Sequence, residues 1–391
     1  MTAAPLRGDA VALTRLLVGI DSRNPALASD GPGESACALA LAGTLTRWGF
    51  RVELQDTGGA RPNVIARIGR ANGGSSGRTL LFNGHLDTVG VEGMIHAPWE
   101  ANVRDGRLYG RGASDMKAGV AAMCAAALRV ADANLDGEVI VTAVTDEEYE
   151  SAGTRALVAS GIRADAAIVT EPTRLAICSA HRGFAWLELI VHGRAAHGSR
   201  WDIGLDAITH AALVIAELET YQRDVLSKKF HTLLGRPSLH ASLINGGLGL
   251  STYPDRCSVQ FERRTIPGET AADFVREVEE ACARVKEKTP MLRTEIIPGF
   301  AQLPNEVPED HRVVRALSAS LKRAGEPAPV SGLSCWTDAA LLTAAGIPAI
   351  CFGPGDIGLA HAAEEYVDVS EIERATGVLA GFVSEWFEGS N

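Results

Sequence analysis

The stretch TLLFNGHLDT, residues 79–88, is an apolar run that is followed at once by a histidine and an aspartate. Short apolar runs of this kind are typical of central strands that are buried on both faces. Two similar apolar runs lie further along the chain and are also followed by acidic residues. They are the starts of VIVTAVTDEE at 139–148 and AAIVTEPT at 166–173. Helical patterns separate these runs, so we predict an α/β layer structure with a largely parallel sheet.

Side chains that can bind metals follow the predicted strands or begin a helix nearby. They are His85, Asp87, Asp115, Asp146, Glu147, Glu148, Glu171 and His361. In open α/β sheets, ligands gather beyond the carboxyl ends of the strands. So many carboxylates could not all stay ionised at close range without a cation. The mixture of imidazoles and carboxylates favours zinc, with cobalt or manganese as alternatives, over magnesium or calcium.

The pattern changes near residue 180. Strand and helix patterns then alternate as strand 184–191, helix 203–219, strands 238–244 and 258–266, helix 270–288 and strand 292–297. This β-α-β-β-α-β order is that of the split ferredoxin-like motif. We therefore predict an α/β domain formed by residues 1–180 and 299–391, with an inserted α+β domain at 181–298.

Composition excludes several classes of protein. The net charge of −11 argues against a nucleic-acid or anionic-membrane partner, because both attract basic surfaces. No run approaches the ~20 apolar residues of a membrane span, and the N-terminus lacks a signal-peptide pattern. Seven cysteines without a C-x-x-C pair indicate reduced thiols, so we expect a cytoplasmic protein.

Five motifs together resemble those of the M20 metallopeptidases, a family that includes acetylornithine deacetylase, succinyl-diaminopimelate desuccinylase, aminoacylase and glutamate carboxypeptidase. They are GHLDTV, YGRGASDMKAG, TDEEYES, TEPT and AHAAEEYV, in the family's order. GRAAHGS at 193–199 and RRTIPGE at 263–269 resemble motifs of its inserted domain. The resemblance covers essentially the whole chain. It implies a zinc-peptidase-like α/β catalytic domain with an inserted ferredoxin-like domain that acts as lid and dimerisation domain.

The resemblance implies a centre of two divalent metal ions. Asp115 would bridge the two ions. His85 and Glu171 would complete one site, and Glu148 and His361 the other. The family also often has a cis peptide bond after the bridging aspartate, here between Asp115 and Met116.

The resemblance also assigns the remaining site residues. Glu147 would be the general base for a water that bridges the metals, and Asp87 would orient the imidazole of His85. His197 would reach the site of a partner subunit and stabilise the oxyanion, which implies a homodimer formed through the lid. Arg264 would bind the carboxylate of the substrate.

The implied activity is hydrolysis of the amide bond in a small N-acyl amino acid. The alternatives are a carboxypeptidase or dipeptidase of the same family, a related single-domain aminopeptidase, which the inserted domain disfavours, and a non-catalytic metal-binding protein. Ser251 stands where many family members have asparagine, which leaves the substrate class open. His181 and Arg182 receive no role.

Overall fold

The computed structural model describes residues 4–388. The helices are α1 (Ala10–Val18), α2 (Ser35–Arg47), α3 (Ala118–Ala127), α4 (Arg129–Asp132), α5 (Ala152–Ala159), α6 (Ala207–Asp224), α7 (Ala271–Lys288), α8 (Arg312–Arg323), α9 (Ala339–Ala344) and α10 (Val369–Glu388). The strands are β1 (Arg51–Gln55), β2 (Asn63–Gly69), β3 (Thr79–His85), β4 (Val103–Arg104), β5 (Arg107–Tyr109), β6 (Glu138–Val144), β7 (Ala166–Val169), β8 (Ile177–His181), β9 (Gly183–His192), β10 (Ser238–Gly246), β11 (Arg256–Thr265), β12 (Thr294–Gln302), β13 (Asn305–Glu306), β14 (Val330–Leu333), β15 (Ala349–Cys351) and β16 (Tyr366–Asp368). Within the described range, no helix is long and apolar enough to cross a membrane.

The chain divides into two compact units. Among the described residues, the larger unit comprises those up to Ala180, Glu306–Gly332 and those from Thr337 onward. The smaller unit, named the lid unit after the predicted domain, comprises His181–Asn305 and Leu333–Trp336. The sequence placed the second boundary at 298, but β12 continues to pair with β9 as far as Gln302 across a bulge that begins at Pro298. The predicted ranges also include residues 1–3 and 389–391, which lie outside the described residues.

The main sheet is mixed rather than largely parallel. Over residues 4–388 it has nine strands in the order β1-β2-β6-β3-β7-β15-β8-β13, with β14 beside β8. Its centre, β6-β3-β7-β15, is parallel. β1 pairs antiparallel with β2, β2 with β6, and β8 with β15. The connection from β1 to β2 is too short for the crossover that a parallel pair requires, so that pair has to be antiparallel.

The centre of this sheet is fully buried beneath alanine-rich α3. Every residue of β6 and every residue of α3 is buried, so the helix lies close against the strands. The sequence predicted a helix over 114–130, whereas α3 begins at Ala118 because Asp115 and Met116 have non-helical backbone angles. The peptide bond between them is cis, as expected.

The lid unit has the predicted ferredoxin-like order. Its antiparallel sheet runs β10-β11-β9-β12, and α6 and α7 pack on it through a core that includes Leu187, Val214, Phe261 and Phe274. The start of α7 is fixed by a capping box, in which the Thr270 hydroxyl accepts from the Asp273 N–H and the Asp273 carboxylate accepts from the Thr270 N–H. The strand β10 forms one edge of the sheet, and most of its residues are exposed.

Candidate metal centre

Three neighbouring parallel strands bring the acidic residues and His85 to one edge of the main sheet. His85 is the last residue of β3, and β6 and β7 flank this strand on either side. Glu147 and Glu148 follow β6, and Glu171 follows β7. Because the carboxyl ends of parallel neighbours lie at the same edge, residues far apart in sequence become neighbours there.

Two groups of side chains at this edge have the spacing of metal sites and share one aspartate. His85, Asp115 and Glu171 form the first group, and Asp115, Glu148 and His361 form the second. Within each group, one ligand atom from each residue lies within 4.8 Å of the others. His85 Nε2 is 3.1 Å from Asp115 Oδ1, and His361 Nε2 is 3.0 Å from Glu148 Oε2 and 3.8 Å from Asp115 Oδ2. The five side chains predicted as ligands are the members of these groups.

The chemistry of this donor set fits a pair of cations. Burial, together with the charge of Asp115, raises the pKa of Glu171 well above its ordinary value. Glu171 Oε1 is buried and has no hydrogen-bond partner among the described residues, although such buried atoms are normally paired. Burial would lower the pKa of His85, but Asp115 and the neighbouring carboxylates raise it well above its ordinary value. Divalent ions would satisfy the orphaned oxygen and allow these carboxylates to ionise together.

Glu147 lies beside both groups but belongs to neither. Its Oε2 is 4.0 Å from His85 Nε2. Burial raises the pKa of Glu147 well above its ordinary value, and the charges of Glu171 and Asp338 act in the same direction. A carboxylate that lies beside both groups and belongs to neither is placed to accept a proton and later release it.

The side chain of Asp87 contacts the acidic turn more closely than it contacts the imidazole of His85. The Nδ1 of His85 lies 3.0 Å from the backbone carbonyl of Asp87 and 3.6 Å from its carboxylate. The carboxylate instead accepts hydrogen bonds of 3.1 Å from the backbone N–H groups of Glu147 and Glu148. Asp87 therefore contacts His85 through its main chain, and the side chain of Asp87 fixes the turn that carries Glu147.

A buried polar network that the sequence did not reveal supports the same turn. Asn24 Nδ2 donates to Asp87 at 2.9 Å and to Asp146 at 3.0 Å. Arg61 makes a bidentate pair with the fully buried Glu34 and also donates to Asp146 at 3.1 Å. Asp146 adopts φ 67°, a left-handed conformation that these contacts hold in place. Asn24, Glu34 and Arg61 are distant in sequence from the motifs, so no spacing pattern could have identified them.

Asp338 is a further residue that sequence reasoning missed. It is buried and accepts a 2.6 Å hydrogen bond from the hydroxyl of Thr154. Burial raises the pKa of Asp338 to about 6. The only signal in the sequence is an acidic residue directly before the apolar helix α9, which on its own indicates no more than a helix start.

The remaining predicted site residues lie in the lid unit. His197 is exposed, and its Nδ1 lies 2.9 Å from the hydroxyl of Ser199. Arg264 is partly exposed, pairs with Glu262 and lies over the ring of Phe184. The backbone carbonyl of Ser251 accepts a 2.7 Å hydrogen bond from the N–H of Gly198, so Ser251 lies beside the His197 segment.

Solved structures share this fold along nearly the whole chain. An aminopeptidase from Bacillus cereus superposes with a TM-score of 0.79 at 20% identity, covering 98% of this chain and 100% of that one. A dinuclear metal-binding peptidase of the M20 family from Bacillus subtilis has a TM-score of 0.72 at 16% identity, covering 97% and 98%. At these identities the likeness concerns the fold alone.

Relatives with described activities are closer in sequence. Acetylornithine deacetylase of Proteus mirabilis is 32% identical over 96% of both chains. The enzyme of the same name from Myxococcus xanthus is 32% identical over 87% of this chain and 89% of that one. N-formyl-4-amino-5-aminomethyl-2-methylpyrimidine deformylase of Bacillus subtilis is 29% identical over 88% of both. The model of peptidase family M20/M25/M40 matches residues 81–385, a span that contains all five candidate metal ligands, and the chain therefore belongs to this family of hydrolases.

Proposed function

We propose that this chain is a two-zinc amidohydrolase that removes the acyl group from a small N-acyl amino acid, in line with its acetylornithine deacetylase relatives. The observation that carries the proposal is the pair of ligand groups that share Asp115, with Glu147 beside them. This arrangement suits a hydrolysis in which one water is activated next to two cations.

Zinc is the metal we propose, with cobalt or manganese as substitutes. Each ligand group combines one imidazole with carboxylates, which is a donor set that zinc accepts and that magnesium and calcium rarely use. Two divalent ions held there would act as Lewis acids and lower the pKa of water towards neutrality.

The chain's own residues would carry the proton. Glu147 accepts a proton from the attacking water, and the water oxygen bonds to the amide carbon. When the C–N bond breaks, Glu147 delivers the proton to the leaving nitrogen, so the amine departs neutral. The position of Glu147 supports this role, since it lies 4.0 Å from His85 Nε2 and belongs to neither ligand group.

Recognition of the substrate carboxylate is proposed for Arg264. A guanidinium can pair with a carboxylate through two parallel hydrogen bonds, and Arg264 is partly exposed on β11. We also propose that His197 acts in the site of a partner subunit, where it donates a hydrogen bond to the developing oxyanion.

The lid edge is the surface that we propose for this dimer. Leu243 and Ile244 of β10 are exposed at the edge of the sheet, and Ile208 and Leu213 of the neighbouring α6 are exposed as well. An exposed apolar edge strand pairs readily with a second copy of itself, which is a self-complementary contact. Ile244→Glu should therefore halve the mass measured by sedimentation and reduce turnover. A dimer that survives this change would place the interface elsewhere.

A cytoplasmic location is part of the same proposal. All seven cysteines lie within the described residues and are free thiols, and six of them are buried. Reduced, buried thiols of this kind are typical of cytosolic proteins.

The test is a substrate panel on zinc- or cobalt-loaded protein. N-acetyl and N-formyl amino acids should be hydrolysed, and Glu147→Ala should lose most of the activity while keeping its metal. Glu150→Gln is the matched control, because Glu150 is exposed three residues further on. Turnover of dipeptides alone would shift the assignment to a dipeptidase. Equal inactivity of wild type and Glu147→Ala across the panel would contradict the proposal.

A further inference from the structure

Glu365 is a fully buried carboxylate four residues after His361, and it belongs to neither ligand group. Its two oxygens accept four hydrogen bonds from the segment that leads into Asp115. Oε1 accepts from the backbone N–H groups of Ser114 at 3.0 Å and Asp115 at 3.1 Å. Oε2 accepts from the N–H of Gly112 at 3.1 Å and from the Arg111 guanidinium at 2.7 Å.

This set of donors forms a backbone nest around one carboxylate. Gly112 has φ 80°, which helps to turn successive N–H groups towards a common point. A buried carboxylate without partners would be very unfavourable, so Glu365 and this segment stabilise each other only in their present geometry. The carboxylate thereby fixes the main chain at Asp115 itself.

Further contacts connect the segment that carries His361 to the segment that carries Asp115. The N–H of Gly110 donates to the carbonyl of Glu365 at 3.2 Å, and Tyr366 of β16 pairs with Tyr109 of β5. On the other side of His361, the N–H of Asp356 donates to the hydroxyl of Ser114 at 2.9 Å. The loop with His361 is therefore tied to the Asp115 segment at both of its ends.

His361 depends on these ties more than His85 and Asp115 do. About half of its side chain is exposed and its backbone is left-handed at φ 60°, whereas His85 lies at the end of a buried central strand. Asp115 has supports besides Glu365, because the segment that contains it leads directly into the buried helix α3. Loss of the Glu365 contacts would therefore displace His361 relative to Asp115.

We propose that Glu365 is a positioning residue that holds His361 against Asp115 and so completes the second ligand group. The inference rests on the proposed function, since it treats the two groups as metal sites. Hydrogen-bonded partners of metal ligands typically contribute a factor of ~10–100 to metal affinity. The first group, formed by His85, Asp115 and Glu171, should be affected less.

The test is metal binding by Glu365→Gln, measured by calorimetric titration of zinc into chelated protein and by metal analysis after dialysis. In either orientation the NH₂ group of glutamine replaces an oxygen that accepts two of the four hydrogen bonds, so two contacts must be lost. Wild type should bind two ions. Glu365→Gln should keep the first ion and bind the second ~10–100-fold more weakly. Glu364→Gln is the matched control, because Glu364 is exposed and adjacent, and it should behave as wild type.

The ratio of the two affinities separates positioning from a general effect on folding. If Glu365 has only a structural role, Glu365→Gln would lower the melting temperature and leave that ratio unchanged. Either this result or wild-type binding of both ions by the variant would overturn the proposal. Circular dichroism checks that the variant folds. If it does not, Arg111→Lys replaces it, since lysine keeps the charge but lacks the planar guanidinium that contacts Glu365 through Nη1 and the carbonyl of Gly90 through Nε. That variant should weaken the second ion selectively, and an unchanged ratio would again overturn the proposal.

These readouts also distinguish the inference from the proposed function. Two ions in wild type with no turnover of any substrate would contradict the proposed function and leave the role of Glu365 to be decided by the ratio of affinities. Failure of wild type to bind two ions would contradict both.

Discussion

Replacing Asp87 with asparagine should destabilise the turn that carries Glu147 and Glu148. The carboxylate accepts three hydrogen bonds, from the backbone N–H groups of Glu147 and Glu148 and from Asn24, and it is completely buried. Asparagine has the same shape, but one of its two terminal atoms is a donor. In the better orientation the NH₂ group faces the N–H of Glu147, and the other two contacts survive.

The loss is one hydrogen bond to a charged acceptor, with a buried donor left unpaired. Such a bond contributes about 1.5–3 kcal/mol. The free energy of unfolding of the metal-free protein should fall by this amount, and kcat/KM of the zinc-loaded protein should fall by roughly 10- to 100-fold if the same free energy is needed to place Glu147.

The assay is urea denaturation of chelated protein, together with kinetics on the best substrate of the panel. Asp105→Asn is the control, because Asp105 is exposed and already has a positive φ that asparagine tolerates. If Asp87→Asn unfolds and turns over like wild type, the carboxylate does not fix the turn and this reasoning is wrong.

Three further predictions concern other residues around the candidate metal centre. Arg61→Met should lower the free energy of unfolding by about 3–5 kcal/mol in urea denaturation, because it leaves the buried carboxylates of Glu34 and Asp146 without their cation. A loss below about 1 kcal/mol would show that the ion pairs of Arg61 are dispensable. The pKa values of Glu147 and Glu171 are raised above their ordinary 4.5, and the pKa of His85 is raised above 6.5. The folded metal-free protein therefore binds more protons than the unfolded chain. Its melting temperature should fall as pH rises through the raised pKa values. Zinc should remove this dependence, and a chelated protein that gains stability over that range would refute it. Gly119→Ala should cost about 3 kcal/mol or prevent folding, because the added Cβ would lie 1.9 Å from the carbonyl oxygen of Thr170, next to Glu171; a soluble variant with wild-type stability and metal content would contradict this.

The arrangement of the site could be predicted from the sequence because it follows from the ends of parallel strands. β3, β6 and β7 are short and apolar. β3 ends at His85, and Glu147 and Glu171 come within three residues of the ends of β6 and β7, so strand order alone brings these residues together. The lid could be predicted for a similar reason, since its β-α-β-β-α-β order has one common solution.

The parts that could not be predicted depend on contacts between distant segments. Glu365 and Asp338 look like ordinary acidic residues in the sequence, and their burial becomes evident only when the chain folds. The nearer contact of His85 with the carbonyl of Asp87, rather than with its carboxylate, depends on a few tenths of an ångström in the turn. The antiparallel pairing of β1 with β2 follows from the short connection between them, which an apolar pattern does not reveal.

The central claim is that two ions share Asp115, and anomalous diffraction from crystals of the zinc-loaded protein tests it most directly. We expect two peaks about 3.5–4 Å apart, each in contact with one oxygen of Asp115, with His85 and Glu171 at one and Glu148 and His361 at the other. A single peak, or two peaks that do not share this aspartate, would contradict the account.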